Sequence, residues 1–241
     1  MTIEAGIFPI DKPVGPTSFR VVQQVRRALG IKKTGHAGTL DPFASGLLVV
    51  CVGRPATRLV PWLMDGEKVY EAELCLGLET ETFDLEGEIV ARNEVGDIGE
   101  ETISRCLASF TGSQLQVPPL YSALKHKGKP LYYYARKGIE ISREARKVEI
   151  PEIKCLDFSR NILKIKVRCS KGTYIRTLAS DIGRVLGCGA CLSGLRRLQS
   201  GFLSVAEAVD GNVLADGVAA AEEILMQRMI TVETVRSRLL I

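Results

Sequence analysis

Six apolar residues, Leu47-Leu48-Val49-Val50-Cys51-Val52, run without a polar interruption between Gly46 and Gly53. A run this short cannot cross a bilayer, which takes about 20 residues as a helix. It is most simply a buried strand. The sequence before it, Lys32 to Gly46, is polar and dense in glycine. Other elements fall around this pair. Gly6 to Ile10 reads as a strand, stopped at Asp11-Lys12-Pro13 and the turn signal Val14-Gly15-Pro16. Thr17 or Ser18 caps a helix with Phe19, Val22, Val25 and Leu29 on its apolar face, ended by Gly30. Pro55 to Leu63 predicts a short helix, Lys68 to Gly77 an alternating strand and Glu100 to Phe110 a helix. Ile150 to Arg168 predicts two strands joined at Ser159-Arg160-Asn161. Tyr174 to Leu186 predicts a helix ended by Gly187, and Leu195 to Val205 a further strand. Strands outnumber helices and alternate irregularly with them, which predicts an α+β sheet domain rather than a βαβ series. The tail from Ala206 to Ile241, helical in spacing from Ala219 to Met229, is too short for its own core and is expected to pack on the main domain.

Composition narrows the function. With 46% hydrophobic and 25% charged residues the chain is globular rather than disordered. The N-terminus Met1-Thr2-Ile3-Glu4-Ala5-Gly6 lacks the basic-then-apolar layout of a secretory signal, so a soluble cytoplasmic protein is expected. The seven cysteines are odd in number and scattered, which fits a reducing compartment. Cys188 and Cys191 form one C-x-x-C, but the two histidines, His36 and His126, lie far from it in sequence. A four-ligand zinc site lacks its second pair, and no metal is expected; the two thiols should be half-buried. A net charge of +4 is weak evidence for a polyanionic partner, and its distribution says more. Lys125 to Lys147 collects eight cations against Glu140 and Glu144, with Tyr132, Tyr133 and Tyr134 among them. Such an arm can neutralise phosphates and stack on bases. The same residues also fit a solvated arm with its tyrosines turned to the core.

The densest chemistry lies in Lys32-Lys33-Thr34-Gly35-His36-Ala37-Gly38-Thr39-Leu40-Asp41-Pro42-Phe43-Ala44-Ser45-Gly46. Gly35, Gly38 and Gly46 permit sharp backbone paths and close approach of a ligand. Pro42 biases Asp41 towards an extended backbone and so fixes where its carboxylate points. A carboxylate on a rigid loop before a buried strand can serve as nucleophile or base. From spacing alone, an ordinary Asx turn accounts for it as well. The lysines precede the glycines, so the stretch is not a phosphate-binding Walker loop.

Five blocks in order carry a resemblance. Asp11-Lys12-Pro13-x-Gly15-x-Thr17-Ser18 is followed by Lys33-x-Gly35-His36-x-Gly38-Thr39-Leu40-Asp41-Pro42-x-Ala44-x-Gly46. Then come Lys68-x-Tyr70-x-Ala72 with Leu76-Gly77, Gln116 to Lys125, and Cys169 to Arg176 with Gly187-x-Gly189-Ala190 and Leu195-Arg196-Arg197. From about Gly6 to Gly201 the chain resembles the TruB family of pseudouridine synthases. The resemblance implies a mixed, largely antiparallel sheet with flanking helices, in a catalytic domain over residues 1–205. A basic RNA-gripping insertion is expected at about 118–150. It also implies isomerisation of uridine 55 in the T loop of tRNA, with no cofactor because no redox or group-transfer step occurs.

By this resemblance Asp41 is the catalytic carboxylate, acting by addition or elimination. Tyr70 stacks on the flipped uracil and can assist proton removal at C5, Arg176 pairs with the aspartate, and Tyr174 and Leu195 enclose the nucleotide. His36 joins the RNA contact that accompanies flipping. Lys12, Lys32 and Lys33 are expected phosphate contacts, as are Lys125, Lys127 and Lys129 of the arm. The chain departs from the bacterial pattern at its end: some 36 residues follow Val205, too few for a complete PUA-like domain, so 206–241 is read as a short extension. Two other readings compete, a guide-RNA-dependent catalytic subunit and a non-catalytic tRNA-binding or RNA-folding module. Retention of Asp41, Tyr70 and Arg176 argues against the non-catalytic module, and the guide-dependent subunit is expected to carry a complete PUA domain for which this chain has no room, so a stand-alone enzyme acting on the tRNA T-arm is expected. It needs no membrane or obligatory protein partner, and nothing in the sequence demands more than a monomer.

Overall fold

The computed structural model describes residues 4–215 and 218–240. The reading of the N-terminus at Met1-Thr2-Ile3, and that of the tail at Asp216, Gly217 and Ile241, therefore lie outside the described residues. The chain forms two compact units, Met1–Tyr70 with Leu195–Ile241, and Glu71–Gly194.

The first unit is organised by the apolar run. Strand β1 (Gly6–Lys12), helix α1 (Ser18–Leu29), strand β2 (Thr34–Ala37) and strand β3 (Ser45–Val52) follow in order. β1 lies antiparallel along the whole of β3, from Gly6↔Val52 to Lys12↔Gly46. β2 pairs antiparallel with the C-terminal part of β3, from Thr34↔Val52 to Ala37↔Val49. Every residue from Leu47 to Val52 is fully buried. Leu47, Val49 and Cys51 join a cluster with Ile7, Ala56, Leu59, Leu63, Val232 and Val235, while the intervening residues turn to the other face, where α1 packs. Helix α1 ends at Gly30 in the left-handed conformation, and the Thr17 hydroxyl caps its start by accepting from Arg20 N–H. Its buried face is Ser18, Val21, Val22, Val25 and Ala28. Phe19, expected inside, is 64% exposed. The i, i+3, i+4 series starts at Ser18 instead, and Phe19 lies a quarter-turn off it.

The helix expected over Pro55–Leu63 is two short ones, α2 (Gly53–Thr57) and α3 (Val60–Asp65). Strand β4 (Lys68–Leu76) carries the chain into the second unit. There β5 (Leu78–Thr80) and β6 (Ile89–Arg92) pair antiparallel, and α4 (Glu100–Ser109) follows. Strand β7 (Gly112–Gln116) leads into the basic segment: β8 (Lys125–His126), β9 (Lys129–Pro130) and α5 (Leu131–Ala135). β10 (Arg146–Ile150) closes the segment by pairing antiparallel with β7. β11 (Glu152–Ser159) and β12 (Ile162–Cys169) form the expected hairpin, with Arg160 and Asn161 both at positive φ as a tight turn requires. Helix α6 (Ile175–Leu186) ends at left-handed Gly187. In this unit the strand order is β11-β12-β4, with β13 (Ala190–Ser200) next to β4.

β13 begins five residues earlier than expected and runs back into the first unit. There its Arg196 and Arg197 pair parallel with Ser45 and Gly46 of β3. β14 (Leu203–Ser204) folds back on β13, and β15 (Val209–Asp210) pairs parallel with Ile10 and Asp11 of β1. The sheet is thus mixed. The tail ends in α7 (Val218–Gln227), packed on α1, and α8 (Val232–Leu239). Among the described residues no helix is long and apolar enough to cross a membrane.

Candidate active site

The strand pairings explain where Asp41 is presented. β1 fills one edge of β3; β2 and β13 share the other edge, β2 up to Val49 and β13 at Ser45–Gly46. Residues 38–44 leave the sheet in the gap between them. Gly46, where the chain re-enters, has φ +98°, and a Cβ there would lie 2.3 Å from the Arg197 carbonyl oxygen, so only glycine lets β13 approach. The loop is then fixed on both sides of Asp41. The Ser18 hydroxyl donates to Leu40 C=O and accepts from Leu40 N–H, both at 2.9 Å and both buried. Pro42 C=O accepts from Gly15 N–H at 2.8 Å and from the Lys12 ammonium at 3.3 Å. The Arg197 guanidinium donates to Gly38 C=O (3.0 Å) and to Leu47 C=O (2.7 Å). Asp41 itself is half-buried. A carboxylate on a backbone held at residues 38, 40 and 42 has little freedom to wander, the pre-organisation a reacting group needs.

Lys12 needs correcting as a phosphate contact. Its side chain is 0% exposed, and its ammonium also donates to Pro13 C=O (2.8 Å) and Pro16 C=O (2.9 Å). It ties the end of β1 to the start of α1 and to the Asp41 loop, and a phosphate would have to dismantle this to reach it. Lys32 and Lys33 are exposed, where an anion can meet them. His36 sits on β2 opposite Val50, half-buried, with Nδ1 buried and without a hydrogen-bond partner among the described residues. Burial, and then the Arg197 charge, lower its pKa, so the imidazole is neutral near pH 7. Tyr70 is buried on β4 and Leu195 half-buried on β13, both in the first unit with Asp41.

Tyr174 and Arg176 belong to the second unit, at the start of α6. Gln116 holds Tyr174 from both sides, accepting from its N–H (2.7 Å) and donating to its C=O (3.1 Å). The buried Arg176 guanidinium donates to Thr82 C=O (3.0 Å) and Tyr121 C=O (2.8 Å) and lies 3.4 Å from the Asp84 carboxylate. Asp84 also accepts from the Thr82 hydroxyl at 2.5 Å and Glu86 N–H at 3.1 Å. A buried guanidinium with this many acceptors is fixed in orientation. In the arm, β8 and β9 are joined through Lys127 and Gly128, both at positive φ, which leaves Lys125, Lys127 and Lys129 exposed. Tyr132 is 42% exposed, and Tyr133 carries the Lys129 and Lys137 ammonium groups over its ring at 4.4 and 4.6 Å. Hydrogen bonding from Lys137, then Lys129, lowers the Tyr133 pKa. The arm is a cation–aromatic surface rather than one with its tyrosines turned wholly inward. Cys188 and Cys191, expected half-buried, are buried, and desolvation pushes Cys191 up to about 11.

Sequence reasoning missed Ser18, Gln116, Asp84 and Arg197. Ser18, Gln116 and Arg197 lie in the blocks that carry the resemblance, but no role was assigned to them; Asp84 had no signal beyond its turn position.

Comparison with known proteins identifies the family. Residues 26–175 match the TruB family pseudouridylate synthase N-terminal domain, and residues 176–236 the tRNA pseudouridylate synthase B C-terminal domain. A protein of Desulfotalea psychrophila named tRNA pseudouridine synthase B is 60% identical over 237 residues, 96% of this chain and 95% of the relative. One of the same name from Dechloromonas aromatica is 46% identical, over 95% of this chain and 75% of the relative. In a crystal structure of a Cbf5-Nop10-Gar1 complex, one chain superposes with a TM-score of 0.73 at 31% identity. The match covers 97% of this chain and 62% of that one. On these matches, and on the blocks of sequence that surround Asp41, the chain belongs to the TruB family of pseudouridylate synthases.

Proposed function

We propose that this protein isomerises uridine 55 in the T loop of tRNA to pseudouridine, with Asp41 as the catalytic carboxylate. The observation that carries the reading is the loop of residues 38–44, held by Ser18, Lys12 and Arg197 so that Asp41 is presented from a fixed backbone. The target base leaves its stack, at a cost of a few kcal/mol that RNA contacts offset. The bond from ribose C1′ to N1 breaks, the uracil turns, and C5 bonds to C1′. The proton lost from C5 is matched by the one N1 gains, so product and substrate are isomers and no oxidant or group donor is consumed. Asp41 attacks the nucleotide or initiates elimination.

The remaining roles follow the family resemblance. Tyr70 stacks on the uracil and assists removal of the C5 proton, Arg176 balances the charge of the carboxylate, and Tyr174 and Leu195 enclose the nucleotide. His36, held neutral, offers an apolar-faced ring to neighbouring bases. Lys32 and Lys33, with Lys125, Lys127 and Lys129 of the arm, neutralise phosphates of the T-arm. A tRNA substrate and seven free thiols are consistent with a cytoplasmic enzyme, acting as a monomer. The 60% identity to a curated relative named for tRNA favours this over a guide-RNA-dependent subunit.

The test is to incubate purified protein with transcribed tRNA, without metal, nucleotide or guide RNA, and to map pseudouridine. Modification at position 55 alone, absent from a tRNA carrying cytidine there, is the expected result. No pseudouridine in the tRNA, or pseudouridine only at other positions, would contradict the reading.

A further inference from the structure

Asp41 begins a β-turn. Its C=O accepts from Ala44 N–H at 3.1 Å, with Pro42 at the second position, where the fixed φ of proline suits the turn. Ala44 is fully buried, and the next residue, Ser45, opens β3. Where Asp41 stands therefore depends on where Ser45 is pinned in the sheet. The parallel joint that pins it is short, with a register of two residue pairs, Arg196↔Ser45 and Arg197↔Gly46.

Successive strand residues point to opposite faces of a sheet, so β13 sends one arginine to each face at this joint. Arg197 donates on one side to Gly38 C=O (3.0 Å). Arg196 goes to the other side, where Ser45 and Asp11 also point; Asp11 on β1 is the register partner of Leu47. Its Nη1 and Nη2 donate to the two carboxylate oxygens of Asp11 at 2.9 and 2.6 Å. Nη1 also reaches Ser45 Oγ at 3.5 Å, a weaker contact. Two parallel charge-assisted bonds from a planar fork fix direction as well as distance. β1 lies on the far edge of β3 from β13, so the bridge passes over β3 where the loop rejoins it and ties the three strands together. One arginine thus holds the departure of the loop at Gly38, and the other its return at Ser45.

The sheet does not need this bridge as a staple. β1 and β3 are already paired from Gly6↔Val52 to Lys12↔Gly46. The side chains of Arg196 and Asp11 are 39% and 30% exposed, and an ion pair so placed adds modestly to global stability. What the bridge supplies is a fixed angle between β13 and the first residue of β3. We propose that Arg196 and Asp11 are positioning residues for Asp41, acting through Ser45 and the turn that precedes it. The proposal rests on the assignment of the chemistry to Asp41 and adds the pair that sets the return of its loop.

The test compares Arg196→Gln, Asp11→Asn and the double variant with the parent, as full chains with transcribed tRNA. Single-turnover pseudouridine formation at saturating RNA should fall about 10- to 100-fold in each single variant, with Kd for tRNA within about 3-fold of the parent. Melting should stay within about 4 °C of the parent. The double variant should be no slower than the slower single variant, because the two residues act as one bridge. Amide exchange in the free protein gives a readout without catalysis: Ala44 N–H should exchange about 10-fold faster in each variant, while Leu48 to Val52 keep parental protection. As a control, Lys164→Gln breaks the 2.9 Å pair with Glu73, of similar exposure, and should change neither rate nor exchange at Ala44. Parental turnover or parental Ala44 exchange in either single variant would overturn the proposal. So would rate losses that multiply in the double variant, an equal loss in the control, or weaker tRNA binding at an unchanged saturating rate, which would make Arg196 an RNA contact instead. A parent that forms no pseudouridine would refute the functional reading, and Ala44 exchange would still decide whether the bridge holds the loop.

Discussion

Removing the Ser18 hydroxyl tests how the Asp41 loop is held. In Ser18→Ala, the Leu40 N–H and C=O each lose a buried partner at 2.9 Å. Each orphaned backbone group costs about 1–3 kcal/mol. Alanine is the better helix former by about 0.5 kcal/mol, which offsets a little at the start of α1. The net loss is about 1.5–5.5 kcal/mol, and for a chain of this size each kcal/mol is worth about 2–4 °C in Tm. Melting should therefore fall by about 3–22 °C. Catalysis should fall too, since Leu40 is the residue before Asp41: a displacement of about 1 Å costs on the order of 100-fold in rate. Circular dichroism melts and single-turnover pseudouridine formation, measured below the new Tm, give the two readouts. Gln23→Ala, at an exposed position of the same helix, should stay within about 0.5 kcal/mol of the parent. A Ser18→Ala protein that melts and turns over like the parent would refute the idea that this hydroxyl positions the loop.

Replacing Lys125, Lys127 and Lys129 with alanine should weaken tRNA binding and flatten its salt slope by about 2, since all three are exposed; an unchanged slope returns the arm to a solvated surface. His36 has its pKa lowered in the folded protein, so below about pH 6.5 the unfolded chain binds the proton first and stability falls with pH. The parent should lose more stability than His36→Gln between pH 7.5 and 5.5, by up to about 1.4 kcal/mol per unit, and parallel profiles would contradict this. Cys155 is exposed, whereas burial pushes the Cys51 thiol up to about 12 and Cys106 to about 11. A thiol reagent at pH 8 should therefore label Cys155 first in native protein, and labelling of Cys51 at a comparable rate would count against the packing of β3.

The elements with a strong local signal were legible in the sequence: β3 from its apolar run, α6 from its periodicity and left-handed Gly187, the β11–β12 hairpin from its turn residues. What was not legible depends on contacts distant in sequence. β2 has no apolar alternation and exists because the exposed edge of β3 pairs it. The parallel pairing of Arg196 and Arg197 with β3 closes about 150 residues of chain, and no local pattern announces it. Buried Lys12 and Arg197 contradict the default that cations are solvated. Their burial follows from carbonyl groups that a looping backbone leaves unpaired, and these appear only once the loop is built. Asp41 was found from its glycine-rich setting and its resemblance to a family, whereas the groups that hold it in place needed coordinates.

The most direct measurement is single-turnover pseudouridine formation by Asp41→Asn, with tRNA affinity measured on the same protein. Asparagine keeps the size of the side chain and removes its charge, so the loop held by Ser18, Lys12 and Arg197 should remain intact. The expected result is no detectable pseudouridine with Kd within a few-fold of the parent. Turnover near the parental rate would contradict the assignment of the chemistry to this carboxylate.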